Sequence, residues 1–183
     1  FHMKYIALLR GINVGGKNKV SMKDLKNCFH KAGFPDAITY INSGNVIFTS
    51  EEKDTIKLAE KCKEIIHQEF GFPINLALID VITLQDALDV VPPWWGNDPD
   101  SKHDAMFVIH PATAEEIIGE VGPIRPEYEK LYVYKQIIFW SAPLKTYSRT
   151  RWSKIVGTKA YQSITIRNAN TTKKLLELAS GLK

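Results

Sequence analysis

Apolar and polar residues recur along this chain with periods that predict the same order of elements in each half. In the first half, apolar runs bounded by turn-forming residues predict four strands, at Lys4–Leu9, Ala37–Ile41, Val46–Thr49 and Ile74–Ile79. Apolar residues at helical spacing predict two helices, one beginning at Ser21 and ending at Gly33, the other running from Asp54 to Phe70. The order is therefore βαββαβ, with a tight hairpin turn at Asn42–Asn45.

The second half repeats this order of elements without repeating the residues. Its apolar runs predict strands at Ala105–Ile109, Leu131–Tyr134, Ile137–Trp140 and Gln162–Ile166. Its helical patterns predict helices at Ala114–Val121 and Leu144–Val156, followed by a final helix capped by Asn170. Between the halves, a short helix at Thr83–Val90 precedes residues 92–100, which are rich in proline and tryptophan and predict a linker.

These elements predict an α+β protein built from two ferredoxin-like (α/β-plait) subdomains in tandem. The first would comprise residues 3–82 and the second residues 104–183, with residues 83–103 as the connecting helix and linker. An α/β-plait carries its helices on one face of its sheet, so we expect the two halves to pack through the other faces. A cleft at such a boundary is a common place for a ligand.

The composition is that of an ordinary globular protein. The chain has 183 residues, of which 44% are hydrophobic and 24% are charged, which is enough to bury a core. No apolar run predicts a membrane span, and no signal peptide is recognisable. Cys28 and Cys62 fall on predicted helices without a C-x-x-C motif, which indicates reduced thiols. We therefore expect a cytoplasmic protein that has no membrane partner.

Charge is distributed unevenly along the chain. The net charge is only +4, but residues 143–183 carry nine lysines and arginines and a single acid, Glu177. This basic tail therefore has a net charge of +8, and the remainder of the chain has −4. Such asymmetry indicates an anionic partner for the tail.

The stretch Leu9–Lys19 leads from a predicted strand through glycines towards a predicted helix. Such a loop leaves main-chain N–H groups without regular partners, and these groups can bind a phosphate. Gly11–Lys17 also has the G-x-x-x-x-G-K spacing of a nucleoside triphosphate loop, but Asn18 stands where that motif has a serine or threonine for Mg²⁺. Three interpretations stay open: a nucleotide P-loop, a plain glycine-rich connector and a non-hydrolytic anion-binding loop.

Basic and aromatic residues are mixed in Pro143–Lys154, a composition that suits phosphate contacts beside base stacking. The alternative is an amphipathic helix whose apolar side chains lie in the core and whose charges are solvated. On such a helix Arg151 would fall inside the apolar stripe. A buried guanidinium needs an acidic partner or a bound anion.

Arg167 and Asn168 lie where a predicted strand gives way to the final helix. Helix capping explains Asn170 there, but it does not explain Arg167. Arg10 likewise ends a predicted strand, beside the Gly11–Lys17 loop. We therefore predict that Arg10, Arg167 and the loop converge on one anionic group.

Other groupings of polar residues give weaker signals. Asp98, Asp100, His103 and Asp104 could suggest a metal, but the prolines around them favour a polar linker. Trp94–Trp95 is either a stacking platform for bases or a clamp that holds the linker against a domain. The sequence contains no Ser/His/Asp or Cys/His arrangement and no carboxylate pair that predicts catalysis. We predict no metal site and no cofactor.

Three motifs resemble a known family: LRGINVGG at Leu9–Gly16, SGNV at Ser43–Val46 and TIRNANT at Thr165–Thr171. Together they make the chain, from Met3 to about Ser180, similar to the bacterial family named domain of unknown function 1697. The resemblance implies two α/β-plait subdomains in a small cytoplasmic protein, and it implies no established activity. It marks as signature positions Arg10, Gly11, Asn13, Gly15, Gly16, Ser43, Gly44, Asn45, Arg167 and Asn168.

We therefore expect a protein that binds a phosphorylated ligand, a nucleotide or a nucleic-acid segment. The candidate ligand-binding residues lie in the glycine loop, the hairpin turn and the basic tail: Arg10, Gly11, Asn13, Gly15, Gly16, Lys17, Ser43, Asn45, Arg151, Arg167 and Asn168. Two other classes of function stay open. One is an enzyme acting on a nucleotide or phosphoester, and the other is an adaptor that binds protein through its sheet edges or Trp94–Trp95.

Overall fold

The computed structural model describes residues 2–181, which form two compact units. The first unit comprises the chain up to Gln85 together with the segment from Leu175 onward, and the second comprises Asp86–Lys174. Each unit contains a four-stranded antiparallel sheet with helices, so the fold class is α+β. Within the described residues, no helix is both long and apolar enough to cross a bilayer.

The first unit is built around a sheet with the strand order β2-β3-β1-β4. Its strands are β1 (Met3–Leu9), β2 (Ile38–Tyr40), β3 (Asn45–Ser50) and β4 (Leu76–Asp80). Its helices are α1 (Met22–Lys31) and α2 (Thr55–Phe70), and α3 (Val81–Val90) leads out of it. Strand β1 pairs antiparallel with both β3 and β4, which excludes the parallel sheet of a nucleotide P-loop.

The helices of the first unit begin where the sequence predicted, at Ser21 and Asp54, whereas α1 ends at Lys31 with Ala32 as its C-cap, before the predicted Gly33. The Ser21 side chain accepts a hydrogen bond from the N–H of Asp24, and the Asp54 side chain accepts from Ile56 and Lys57. The apolar stripes of both helices then pack on one face of the sheet. Phe29 and Cys62, for example, lie in the same buried cluster as three residues of the central strand, Tyr5, Ala7 and Leu9.

The second unit has the strand order β6-β7-β5-β8. Its strands are β5 (Ser101–Val108), β6 (Lys130–Tyr134), β7 (Ile137–Pro143) and β8 (Ile164–Asn168). Helix α4 (Ala114–Val121) begins with a capping box between Thr113 and Glu116, and α5 (Ala169–Ser180) follows β8. Strand β5 starts four residues before the predicted Ala105, so Ser101–Asp104 are strand and not linker.

The helix predicted at Leu144–Val156 is wrong. Three short 3-10 helices take its place, and we call residues 144–163 the 3-10 segment; the helices span Leu144–Arg149, Trp152–Gly157 and Lys159–Ser163. The backbone leaves helical geometry at Thr146 and is extended at Thr150. The segment still covers the sheet, because Trp152 and Ile155 belong to the buried cluster that also holds Trp140 of β7.

Two side-chain predictions are also wrong in this region. Arg151 is exposed and not buried in an apolar stripe, since no α-helix forms there to define that stripe. Asn170 does not cap the final helix. The residue that does so is Asn168, whose side-chain oxygen accepts the N–H of Thr171 at 2.8 Å.

Candidate functional site

The glycine loop of the first unit contains a tight two-residue turn. The N–H of Lys17 donates to the carbonyl of Val14 at 3.0 Å, and these two residues form an isolated β-bridge. Gly15 and Gly16 between them have φ of 59° and 74°. Two successive positive φ values are typical of a type I′ turn, which most side chains disfavour. The turn thus needs Gly15 and Gly16, because its conformation has positive φ at both positions.

Asn13 fixes this turn to the rest of the unit. Its side-chain amide donates to the carbonyl oxygens of Val20 and Asn42, both at 2.9 Å, and its side-chain oxygen accepts the N–H of Val20 at 2.8 Å. These bonds close the base of the loop and tie it to the β2–β3 turn. Asn13, predicted to bind a ligand, therefore uses its polar atoms within the fold.

The second motif packs directly against the first. Gly44 has φ of 89°, and its carbonyl accepts the N–H of Leu9 at 2.8 Å. A Cβ atom at Gly44 would lie 2.5 Å from Cδ1 of Ile12 and 3.0 Å from Cβ of Leu9, so one of these groups would have to move. Asn45 beside it is fully buried and donates to the carbonyl of Tyr40 and to Oγ of Ser43. The structure thus brings the LRGINVGG and SGNV motifs together.

The β2–β3 turn has a positive φ at a β-branched residue. Asn42 and Asn45 do not have positive φ; Ile41 does, at 49°, together with Gly44. A β-branched residue in this region is strained. Ile41 is also 43% exposed, at the same end of the sheet as the glycine loop.

The glycine loop is exposed and lies in a strongly basic part of the chain. Between Lys4 and Lys23 the sequence has five cations and no carboxylate: Lys4, Arg10, Lys17, Lys19 and Lys23. The main-chain N–H groups of Val14, Gly15 and Gly16 have no hydrogen-bond partner within the described residues. Three main-chain donors are therefore available to an anion at the tip of this loop.

In the second unit, Arg167 is buried in β8. Its Nη1 donates to Oγ1 of Thr165 at 2.8 Å and to the carbonyl of Ile166 at 3.0 Å. Burial, which removes the guanidinium from water, lowers the pKa of Arg167 to about 10. Arg10 and Arg167 belong to different units, so their convergence on one anion stays a prediction.

An open cavity of about 550 Å³ lies at the start of α5 in the second unit. Its walls include Asp98, Lys102 and His103 as well as Asn168. One ring nitrogen of His103 is hydrogen-bonded to Oγ of Ser141, and the other donates to the carbonyl of Asp98 at 2.8 Å. Sequence reasoning missed the His103–Ser141 pair, because only the register of β5 on β7 places these distant residues opposite each other.

Potential nucleophiles and metal ligands add little to this site. Burial raises the pKa of Cys28 to about 11 and that of Cys62 to about 12, so both thiols are protonated at neutral pH. Within residues 2–181 no three His, Cys, Asp or Glu side chains are placed to hold a metal ion. Trp95 is buried and donates its indole N–H to the carbonyl of Asp104, so it is not available as a stacking platform.

Residues 3–139 match the family model described as "Protein of unknown function (DUF1697)". The chain belongs to this family. The match covers the first two motifs of the DUF1697 chain, which the structure brings together at the glycine loop. The third motif, at Thr165–Thr171, lies beyond the matched residues.

A solved structure has a similar fold. The DUF1697 chain is 32% identical to the conserved bacterial protein SP0830 from Streptococcus pneumoniae, with a TM-score of 0.88. The alignment covers 98% of this chain and 99% of that one. No curated protein matches the chain. These comparisons establish the family and the fold, while the geometry of the loop bears on function.

Proposed function

We propose that this DUF1697 protein binds a phosphate-bearing ligand, a nucleotide or a nucleic-acid segment, at the glycine loop Gly11–Lys17. The observation that carries the proposal is the free row of main-chain N–H groups at Val14, Gly15 and Gly16, presented by a turn that only glycines adopt easily. Main-chain donors of this kind bind phosphate oxygens without side-chain rearrangement. Arg10 and Lys17 supply positive charge beside them.

The loop is also held in place before any ligand arrives. Asn13 ties its base to Val20 and Asn42, and Gly44 allows the β2–β3 turn to pack on Ile12. A preorganised site loses less conformational entropy on binding. Ser43 lies on this neighbouring turn, where its hydroxyl would be a further contact for the ligand.

We expect binding without magnesium-dependent ATP hydrolysis at this loop. Asn18 has φ of 51°, and its side-chain amide donates to the carbonyl of Gly11 at 3.1 Å. Asn18 therefore stabilises the loop. It stands at the position where a P-loop has the hydroxyl group that binds Mg²⁺. Sustained ATP turnover that disappears in Lys17→Ala would contradict this expectation.

Calorimetric titration of ATP and of inorganic pyrophosphate in metal-free buffer tests the proposal. A charge-assisted hydrogen bond contributes roughly 1.5–3 kcal/mol, so Arg10→Ala should weaken binding by about tenfold or more. Gly15→Val should abolish binding, because valine disfavours the positive φ of the turn. Lys23→Ala removes an equal charge from α1 and serves as the control. The proposal fails if neither compound binds, or if Arg10→Ala and Gly15→Val bind as the wild type does.

The finer description of the fold is also a proposal. We assign each unit to the ferredoxin-like (α/β-plait) class, in tandem. The strand orders β2-β3-β1-β4 and β6-β7-β5-β8, both antiparallel, support it. Two buried cysteines without a disulfide support a cytoplasmic location.

A further inference from the structure

A long part of the second unit carries positive charge without any carboxylate. Between Lys130 and Lys174 the sequence has ten lysines and arginines and no aspartate or glutamate. This stretch contains the whole 3-10 segment. The 3-10 segment lies in a different unit from the glycine loop, so a ligand bound there would occupy a separate site.

Four of the cations around the 3-10 segment are connected through contacts; we call Arg125, Arg149, Arg151 and Lys154 the basic cluster. Arg125 donates to the carbonyl of Arg149 at 3.3 Å, and Lys154 donates to the carbonyls of Ser148 and Thr150 at 3.0 and 2.9 Å. The Arg151 side chain lies against Gly122, where a Cβ atom would be 3.3 Å from its Cδ. The four charges therefore share one surface of the unit.

An aromatic ring lies within this surface. The guanidinium of Arg149 sits 5.7 Å from the ring centroid of Tyr128 and donates to its hydroxyl at 3.2 Å. Tyr128 is half-buried and Arg149 is exposed. Planar guanidinium groups and tyrosine rings both stack on nucleic-acid bases.

The basic cluster has no acidic partner in the part of the chain that the structure describes. None of its four side chains makes an ion pair there. The nearest acids along the chain are Glu127 and Glu129. Glu129 is buried and accepts the main-chain N–H groups of Arg125 and Arg151, at 2.8 and 2.7 Å, so it binds the backbone and leaves the cationic heads outward.

The backbone beneath the basic cluster is anchored to the core. Trp152 and Ile155 alternate with the exposed cations and are both buried, at 1% and 3% exposure. The charges are thus held on a short, fixed segment. This segment would therefore lose little conformational entropy when a polyanion binds.

We infer that the basic cluster and Tyr128 form a binding surface for single-stranded nucleic acid. The four cations of the basic cluster would neutralise successive phosphates, while one base stacks on the ring of Tyr128 beside Arg149. An anionic membrane is the other polyanion to consider. It calls for a broad apolar face beside the charges, whereas the exposed large apolar side chains of the 3-10 segment are Leu144 and Val156 alone, within the described residues.

Fluorescence anisotropy with a labelled, mixed-sequence 12-nucleotide RNA tests this inference on the whole protein. About four phosphate contacts give a slope near −2.8 in log K against log salt, so affinity should fall by roughly 50-fold between 50 and 200 mM salt. The double substitution Arg149→Gln with Arg151→Gln should weaken binding at 50 mM salt by about tenfold or more and reduce the slope by about 1.4. Tyr128→Leu should weaken binding at least about fivefold without changing the slope.

The matched control is Lys130→Gln with Lys135→Gln, which removes the same charge from exposed positions of the β6–β7 hairpin in the same acid-free stretch. It should bind within about twofold of the wild type.

The inference is overturned if the RNA does not bind at 50 mM salt, if both double variants lose equal affinity, or if vesicles with phosphatidylglycerol bind and RNA does not. RNA binding that is lost in Arg10→Ala with Lys17→Ala, but kept in Arg149→Gln with Arg151→Gln, would place the RNA at the glycine loop. That result would also overturn the inference. We expect Arg149→Gln with Arg151→Gln to bind ATP as the wild type does, because the glycine loop and the basic cluster are separate sites.

Discussion

Glu129 is a buried carboxylate that accepts four N–H groups in the second unit. Oε1 accepts from the indole of Trp140 and the main chain of Trp152, both at 3.0 Å. Oε2 accepts the main-chain N–H groups of Arg125 and Arg151. These donors come from the turn before β6, from β7 and from the 3-10 segment. A single side chain thus fixes the start of the second 3-10 helix, at Trp152, to the sheet.

We expect Glu129→Gln to destabilise the protein strongly. A neutral amide accepts through one oxygen and points its NH₂ group at the donors on the other side, so about two hydrogen bonds are lost. Each is worth roughly 1.5–3 kcal/mol when the acceptor is charged, so the free energy of unfolding should fall by about 3 kcal/mol or more. Urea unfolding followed by tryptophan fluorescence measures this, and exposed Glu127→Gln should change stability by less than ~0.5 kcal/mol. Equal losses in the two variants would show that Glu129 has no such role.

Asp104 gives the second unit a dependence on pH. Burial raises the pKa of this carboxyl above its usual value, although Lys102 nearby opposes the rise. The folded state therefore binds the proton more tightly than the unfolded state does. Stability contributed by this group is present in acid and is lost as the pH rises from the ordinary aspartate pKa through the raised one.

Asp104→Asn should remove this dependence. Relative to the wild type, the variant should gain stability at pH 7 compared with pH 4, because the wild type alone carries a desolvated charge at the higher pH. Unfolding in urea at both pH values measures the difference. Asp100→Asn at an exposed position is the control and should show no such gain. A variant that loses more stability at pH 7 than at pH 4 would reverse the assigned sign.

Asparagine residues show what the sequence could and could not reveal at this scale. Asn13, Asn45 and Asn168 stand in motifs and were predicted to bind ligand, and each uses side-chain atoms to satisfy main-chain groups. A polar side chain in a loop looks the same in sequence whether it binds a ligand or a neighbouring carbonyl. Only the register of the strands and the path of the loop decide between these roles.

At the scale of elements, caps and apolar periods predicted the α-helices well, and the 3-10 segment shows where they fail. Its apolar residues have helical spacing, so the sequence predicts an α-helix. The N–H groups of Arg151 and Trp152, however, bind the Glu129 carboxylate in place of carbonyls of the preceding turn. A tertiary hydrogen bond from a distant turn thus overrides a local preference. The exposure of Arg151 follows from the same change.

The β2–β3 turn and the glycine loop should act as one element, which Gly44→Ala tests. The new Cβ atom would meet Cδ1 of Ile12 at 2.5 Å and would also require φ of 89° in alanine. Gly16→Ala has positive φ too, but open space around it. We therefore expect Gly16→Ala to cost about 1–2 kcal/mol from the backbone alone and Gly44→Ala clearly more. Urea unfolding gives both values, and equal costs would mean that the contact with Ile12 is unimportant.

At the scale of the whole molecule, the repeated order of strands in the sequence predicted the two four-stranded antiparallel sheets. It did not predict that the end of the chain returns to the first unit. Helix α5 begins in the second unit, where Lys173 donates to the carbonyl of Gly96, and ends in the first, where Lys4 donates to the carbonyl of Ala179. Nothing in the local pattern of α5 distinguishes its two ends, because both are amphipathic in the same way.

This helix should couple the stabilities of the two units. Leu175 belongs to the first unit and is fully buried, so Leu175→Ala should lower the free energy of unfolding by about 2–5 kcal/mol. All four tryptophans, Trp94, Trp95, Trp140 and Trp152, belong to the second unit, and their fluorescence reports on that unit alone. Because α5 is one continuous helix, we expect the fluorescence transition in urea to move together with the far-UV circular dichroism transition.

Leu176→Ala, at the adjacent and only half-buried position, is the control and should shift both transitions far less. A fluorescence transition that stays in place while the circular dichroism transition moves would show that the units unfold independently and that α5 is only a connection between them.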